Sequence, residues 1–98
     1  RGYEVDRRLK ERFEQLGCAQ YLMHRTGHNI GHRCHGIGAN LDDYETHDDR
    51  CLLPGTMFSI EPGLYTDKYG VRLEYDVHIT SEGETKVYGP VQDEILVI

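Results

Sequence analysis

From Val71 to Thr80 the chain alternates without a break. Val71, Leu73, Tyr75, Val77 and Ile79 fall on one side, and Arg72, Glu74, Asp76, His78 and Thr80 on the other. A period of two predicts a half-buried strand with one dry face and one wet face. Tyr69-Gly70 turns the chain into it, and Ser81-Glu82-Gly83-Glu84 turns it out toward a last short strand near 85–88. The first residues follow a different period. Val5, Leu9, Phe13 and Leu16 recur at helical spacing, with Asp6, Arg7, Lys10, Glu11 and Glu14 on the other side. That predicts an amphipathic helix over 3–16, with Gly17 placed to end it.

The middle of the chain is less regular. Over 19–30, helical spacing would bring His24 and His28 together, but Gly27 and Gly31 disfavour a helix interior. An extended strand would also put His24, Thr26 and His28 on one face, and that is the expectation here. Residues 36–50 are polar and acidic without sustained periodicity, which predicts a long surface loop. Leu53-Pro54-Gly55 signals a turn, and Met57–Ile60 a short strand leading into Glu61-Pro62-Gly63. The apolar tail Ile95-Leu96-Val97-Ile98 is expected to pack on something. One helix with antiparallel strands makes the fold class α+β, without internal repeats.

A length of 98 residues suits one small domain, near the size at which a core barely sustains a fold. A net charge of −6 argues against nucleic acid as a partner, since phosphate binding needs a basic face. No stretch approaches the roughly 20 apolar residues that span a bilayer, so no membrane partner is expected. Cys18, Cys34 and Cys51 are odd in number and lack Cys-x-x-Cys spacing, which fits reduced thiols in a cytoplasmic protein.

Candidate chemistry gathers in three places. His24, His28, His32 and His35 are four imidazoles in twelve residues. Glu61 stands before a Pro-Gly pair that fixes the backbone sharply, and Glu74 sits on the polar face of the alternating stretch between Arg72 and Asp76. Imidazole with carboxylate suits Mn, Fe, Co or Zn, and carboxylate can bridge two ions. Each group alone has a plainer reading, as a solvated histidine, a turn carboxylate or an ion pair on a strand face. A tetrahedral zinc on His24, His28, Cys34 and His35 is a further possible use.

The order of the motifs is more specific than any one of them. His24-x-x-x-His28-x-x-Gly31, His35, Phe58-Ser59-Ile60-Glu61-Pro62-Gly63-Leu64-Tyr65 and Gly70-Val71-Arg72-Leu73-Glu74 resemble the second half of the pita-bread (creatinase/aminopeptidase-like) dinuclear metallopeptidases. Among these the chain is most similar to the Xaa-Pro peptidases, aminopeptidase P and prolidase. The resemblance implies an N-terminal helix packed on a curved antiparallel sheet. It implies His28 as the single histidine metal ligand, Glu61 as a terminal carboxylate ligand and general base, and Glu74 as the carboxylate bridging both metals. His24 and His35 would hold substrate and stabilise the tetrahedral intermediate, with Arg72 orienting carboxylates from behind. The implied cofactors are two divalent ions, Mn or Co first, with Zn or Fe also compatible. Implied partners are peptides with proline at the second position, and a second copy of the full-length protein.

Three departures qualify the resemblance. The family's two further aspartate ligands, in an Asp-x-Gly context, have no counterpart before His24. Tyr75 stands where an acidic residue usually follows the bridging glutamate, and Gly36-Ile37-Gly38-Ala39-Asn40 replaces a more acidic or proline-containing stretch. Residues 1–98 are therefore expected to be the C-terminal portion of a metallopeptidase catalytic domain, lacking the upstream half and inactive alone. The uncapped start of the helix and the apolar tail fit that expectation. The alternative is a non-catalytic peptide- or protein-binding module on the same fold.

Overall fold

The computed structural model describes residues 1–98. Helix α1 runs over Gly2–Gln15 and ends where Gly17 turns left-handed at φ 71°. Its last turn is closed by Gly17 N–H donating to Glu14 O and Cys18 N–H donating to Phe13 O. A short 3-10 turn at Ala19–Tyr21 follows. Six strands come next: β1 (Asn29–Ile30), β2 (Met57–Ile60), β3 (Gly63–Tyr65), β4 (Gly70–Arg72), β5 (Tyr75–Ile79) and β6 (Thr85–Tyr88). The main antiparallel sheet has the order β1-β2-β5-β6, and β3 and β4 pair as a separate hairpin. The architecture is α+β, as the hydropathy pattern predicts.

The helix does not bury quite the stripe the pattern suggests. Val5 and Leu9 are half-buried, and Val5 reaches a groove shared with Leu41, Phe58, Ile60 and Val77. Leu16 is exposed, whereas Asp6, assigned to the polar side, is almost fully buried. Its carboxylate is needed inside. Asp6 Oδ1 accepts the Thr26 N–H and hydroxyl, Oδ2 accepts the Asp43 N–H, and Lys10 Nζ lies 2.6 Å from it. The buried apolar residues are few: Ala39, Leu41, Phe58 and Val77. Polar groups do much of the interior work, and no buried side-chain nitrogen or oxygen lacks a partner.

Three other expectations need correction. The alternating stretch 71–80 is two strands, not one, since β4 pairs with β3 while β5 pairs with β2 and β6. Pro62 has no N–H to donate, so the ladder of β2 cannot run on into β3, and the opposite strand breaks at the same level. Val71 and Leu73 lie on the hairpin side of that break and are exposed, so only Tyr75, Val77 and Ile79 keep the dry face. Residues 36–50 have no helix or strand, but they are not a loose surface loop. Asp42 is fully buried, accepting N–H bonds from Tyr44, Glu45 and Thr46, and Asp48 is buried against Arg50 and the Asn40 N–H. The tail 95–98 is exposed.

Candidate metal centre

The break in the ladder positions the site. Ile60 pairs with Tyr75 on one side of it and Gly63 with Arg72 on the other. Continuing that register sets Glu61 opposite Glu74, and Pro62 opposite Leu73, at a level where no strand bond is made. Two carboxylates facing each other across a strand pair repel, unless a cation lies between them. His28 completes the group. One ligand atom each from His28, Glu61 and Glu74 lies within 4.8 Å of the others. His28 Nε2 is 3.4 Å from Glu61 Oε1.

His28 is held firmly for this. The segment 26–30 runs antiparallel beside β2, with Ser59 N–H donating to His28 O and Glu61 N–H to Thr26 O. So the expected strand over 19–30 is real only from Thr26 onward, and only Asn29–Ile30 form a regular ladder. Its three polar side chains do not share one environment. Thr26 is turned to Asp6 of the helix, His28 to Glu61, and His24 to Tyr65. The His28 ring is oriented by its Nδ1, which lies 3.1 Å from the Asn29 carbonyl, a group that can only accept. That leaves Nε2 as the ring nitrogen turned toward Glu61.

Ser59 is the residue that pattern reading missed. It is fully buried, its Oγ accepts the His28 N–H at 3.0 Å, and its hydroxyl donates to Glu61 Oε1 at 3.2 Å. One side chain thus sets the relative position of imidazole and carboxylate. The available signal was local: Ser59 is the polar member of an otherwise apolar strand, Met57–Ile60, two residues before Glu61. Arg72 Nη1 stands 3.6 Å from Glu61 Oε2.

The remaining histidines divide. His35 comes to the group, its ring centroid 4.1 Å from that of His28, and it is exposed. His24 Nδ1–H donates to Arg25 O at 2.7 Å, and its Nε2 is 2.8 Å from the Tyr65 hydroxyl, which donates to it in the neutral ring. Tyr65, on β3, is a second residue to which the motif alone gave no role. His32 is exposed and stands outside both groups of possible ligands. A four-ligand zinc set is not formed: His28, Cys34 and His35 come together, without His24.

The sequence matches the family model of metallopeptidase family M24 over residues 1–81. The chain belongs to that family. A probable dipeptidase PepE of Mycobacterium bovis is 36% identical over 86 residues, covering 86% of this chain and 22% of that protein. Among solved structures, the Xaa-Pro dipeptidase from Bacillus anthracis superposes with a TM-score of 0.82 at 33% identity, over 99% of this chain and 26% of the other. An X-Pro aminopeptidase from Thermotoga maritima gives 0.81 at 27% identity, over 99% and 26%. The fold is that of the pita-bread peptidases of family M24, and the chain spans about a quarter of the length of these relatives. Family M24 enzymes generally depend on two metal ions, and the donors present here suit such ions: one imidazole and two facing carboxylates.

Proposed function

We propose that this chain carries the carboxylate-and-histidine side of a metal-dependent Xaa-Pro peptidase site, of the dipeptidase type. The observation that carries the reading is the opposition of Glu61 and Glu74 at the ladder break, with a ring nitrogen of His28 within 4.8 Å of a carboxylate oxygen of each. Dipeptidases and Xaa-Pro dipeptidases among its relatives support the substrate class. His28, Glu61 and Glu74 would hold Mn or Co, with Glu74 shared between two ions. Bound there, the ions supply the Lewis acidity that makes water nucleophilic near neutral pH.

The chain's own residues would do the rest. Glu61 takes the proton from the attacking water and delivers it to the leaving nitrogen. Arg72 beside Oε2 and Ser59 on Oε1 keep that carboxylate oriented through the exchange. His35, exposed next to His28, is free to donate a hydrogen bond to the substrate oxygen as it gains charge. His24 has both ring nitrogens engaged, so it meets substrate as a pair with Tyr65.

Three of five expected protein ligands are on this chain, and the residues that complete the site are proposed to lie in sequence outside it. The test is hydrolysis of Xaa-Pro dipeptides by the full-length protein with Mn(II) or Co(II), compared with its Glu74→Gln variant and with residues 1–98 alone. Metal-dependent turnover is expected only for the full-length wild type. Unchanged turnover in Glu74→Gln rejects the bridging role, and absence of turnover in folded, metal-loaded full-length protein rejects the function.

A further inference from the structure

We propose that His28, Cys34 and His35 form a second metal site, selective for a thiophilic ion such as zinc or cadmium, whose occupation takes His28 away from the carboxylate pair. Three observations carry it. One ligand atom from each of His28, Cys34 and His35 lies within 4.8 Å of the others, the spread of a single coordination sphere. The loop bearing Cys34 and His35 is fixed before any ion arrives. Gly36 N–H donates to Asn29 O at 2.8 Å and Gly31 N–H to Arg33 O at 3.1 Å, which closes the loop at its base. The closure is tight enough that a Cβ on Gly36 would meet Asn29 Oδ1 at 2.1 Å and Gly31 N at 2.9 Å.

The third observation is the orientation of the His28 ring. The Asn29 carbonyl that anchors the loop also engages His28 Nδ1 at 3.1 Å, so Nε2 is the one ring nitrogen this imidazole can offer to an ion. One ring nitrogen serves one ion. An ion bound with the Cys34 thiolate and His35 therefore cannot share His28 with an ion held by Glu61 and Glu74.

The donor sets also separate the metals. A thiolate with two imidazoles is a soft set that favours zinc or cadmium, whereas imidazole with two carboxylates tolerates Mn(II). Binding is a proton exchange: the Cys34 S–H bond breaks, the sulfur–metal bond forms, and the proton leaves to solvent. Cys34 and His35 are both exposed, so the ion enters from the open side of the loop and leaves a position for water. Occupation would also remove His35 from any substrate contact. The site works as an inhibitory sensor of thiophilic metal. The competition, though not the site itself, rests on the proposed role of His28 in the carboxylate set.

The test uses the chain with Co(II) as spectroscopic probe and Cd(II) as competitor. One equivalent of Co(II) is expected to produce a sulfur-to-cobalt charge-transfer band that Cd(II) removes. The band should vanish in Cys34→Ser, survive in Cys18→Ser/Cys51→Ser, and survive in Glu61→Gln/Glu74→Gln. His35→Ala should weaken the affinity by more than about a hundredfold, beyond the loss typical of an outer-shell partner. No band in the wild type, or a band that persists in Cys34→Ser, overturns the site. A second measurement avoids any folding defect of the variants: Cd(II) should protect Cys34 from iodoacetamide while the exposed Cys51 still reacts, and equal alkylation of both overturns the site equally. Calorimetry of Mn(II) after one equivalent of Cd(II) tests the competition, which fails if both ions bind independently. Absence of Mn(II) binding before any Cd(II) is added, with the thiolate band present on Co(II) addition, would instead count against the carboxylate site alone.

Discussion

Asp6 Oδ1 accepts two hydrogen bonds from Thr26, the backbone N–H at 2.9 Å and the hydroxyl at 2.6 Å. This contact joins helix α1 to the segment that carries His24 and His28, so the helix fixes the site through a carboxylate rather than through its apolar stripe. Truncating Asp6 would strand two buried donors of Thr26 and the Asp43 N–H, and bring Lys10 beside a vacated polar pocket. Asp6→Ala is expected to cost roughly 2–3 kcal/mol in urea unfolding, well above an ordinary surface substitution. Asp6→Asn should recover part of that, since its amide oxygen can still accept from Thr26. An Asp6→Ala midpoint equal to wild type would show that the helix is held by something else.

Ser59→Ala tests the link between imidazole and carboxylate. The substitution removes the hydroxyl that accepts the His28 N–H and donates to Glu61, while keeping the volume of a small buried side chain. Mn(II) affinity, measured by calorimetry on the full-length protein, should fall by about 10–100-fold, the usual consequence of losing a ligand-orienting partner. Ser59→Thr, which keeps a hydroxyl, should fall less if the added methyl fits. Equal affinity in Ser59→Ala would mean that His28 and Glu61 are positioned by the backbone alone.

These two residues also mark where sequence reading works and where it stops. Helix α1, β2, β6 and the polarity of β5 are written in local periodicity, and the structure has them where the pattern places them. The break between Arg72 and Tyr75 is not, because alternation continues unbroken through Leu73 and Glu74 while the hydrogen-bonding neighbour changes. What forces the change is Pro62 on the facing strand, a non-local cause. Asp6 was assigned to the polar side by helical spacing, and only its partner twenty residues away makes it a buried anchor. Among the candidate site residues, the grouping of His28, Glu61 and Glu74 is what the family resemblance of the ordered motifs implies, and the structure brings the three together. The separation of His24 from His28 arises from Tyr65, which lies in another strand.

The acidic loop predicts a specific response to pH. The Arg50 guanidinium bonded to Asp48 holds that carboxyl well below the usual carboxylate range, although its burial opposes this. At Asp42 burial pushes upward, but N–H bonds from Tyr44 and Glu45 and the bonds from Thr46 outweigh it, and the net direction is down. Both folded-state values thus lie below the unfolded one. Above about pH 5 both states are ionised and the stabilisation is fully present; it is lost as pH falls through about 4 toward the folded values, because the unfolded chain takes up protons first. Urea midpoints should therefore drop from about pH 5 toward pH 3. Asp48→Asn should be less stable at pH 7 and should drop less on acidification. A variant that loses as much as wild type between pH 5 and 3 would remove Asp48 from this account.

Gly27 offers the sharpest separation of stability from site geometry. It exchanges backbone bonds with Leu41 on one side and lies against β2 on the other, where a Cβ would come within 1.9 Å of Ser59 O. Nothing flexible stands there to yield, so an alanine must push the 26–30 segment away from the strand that carries Ser59 and Glu61. Gly27→Ala is expected to cost about 1–3 kcal/mol from overpacking and to abolish Mn(II) binding in the full-length protein even under conditions where it remains folded. Gly55 and Gly83 are the controls. Both have positive φ, 81° and 84°, and open space around them, so Gly55→Ala or Gly83→Ala should cost about 1 kcal/mol through backbone strain and leave Mn(II) affinity unchanged. Calorimetry on all three variants at matched folded fractions makes the comparison. Wild-type affinity in Gly27→Ala would show that His28 reaches Glu61 without the close approach of their strands, and the alignment of segment 26–30 with β2 would then not be what sets the site.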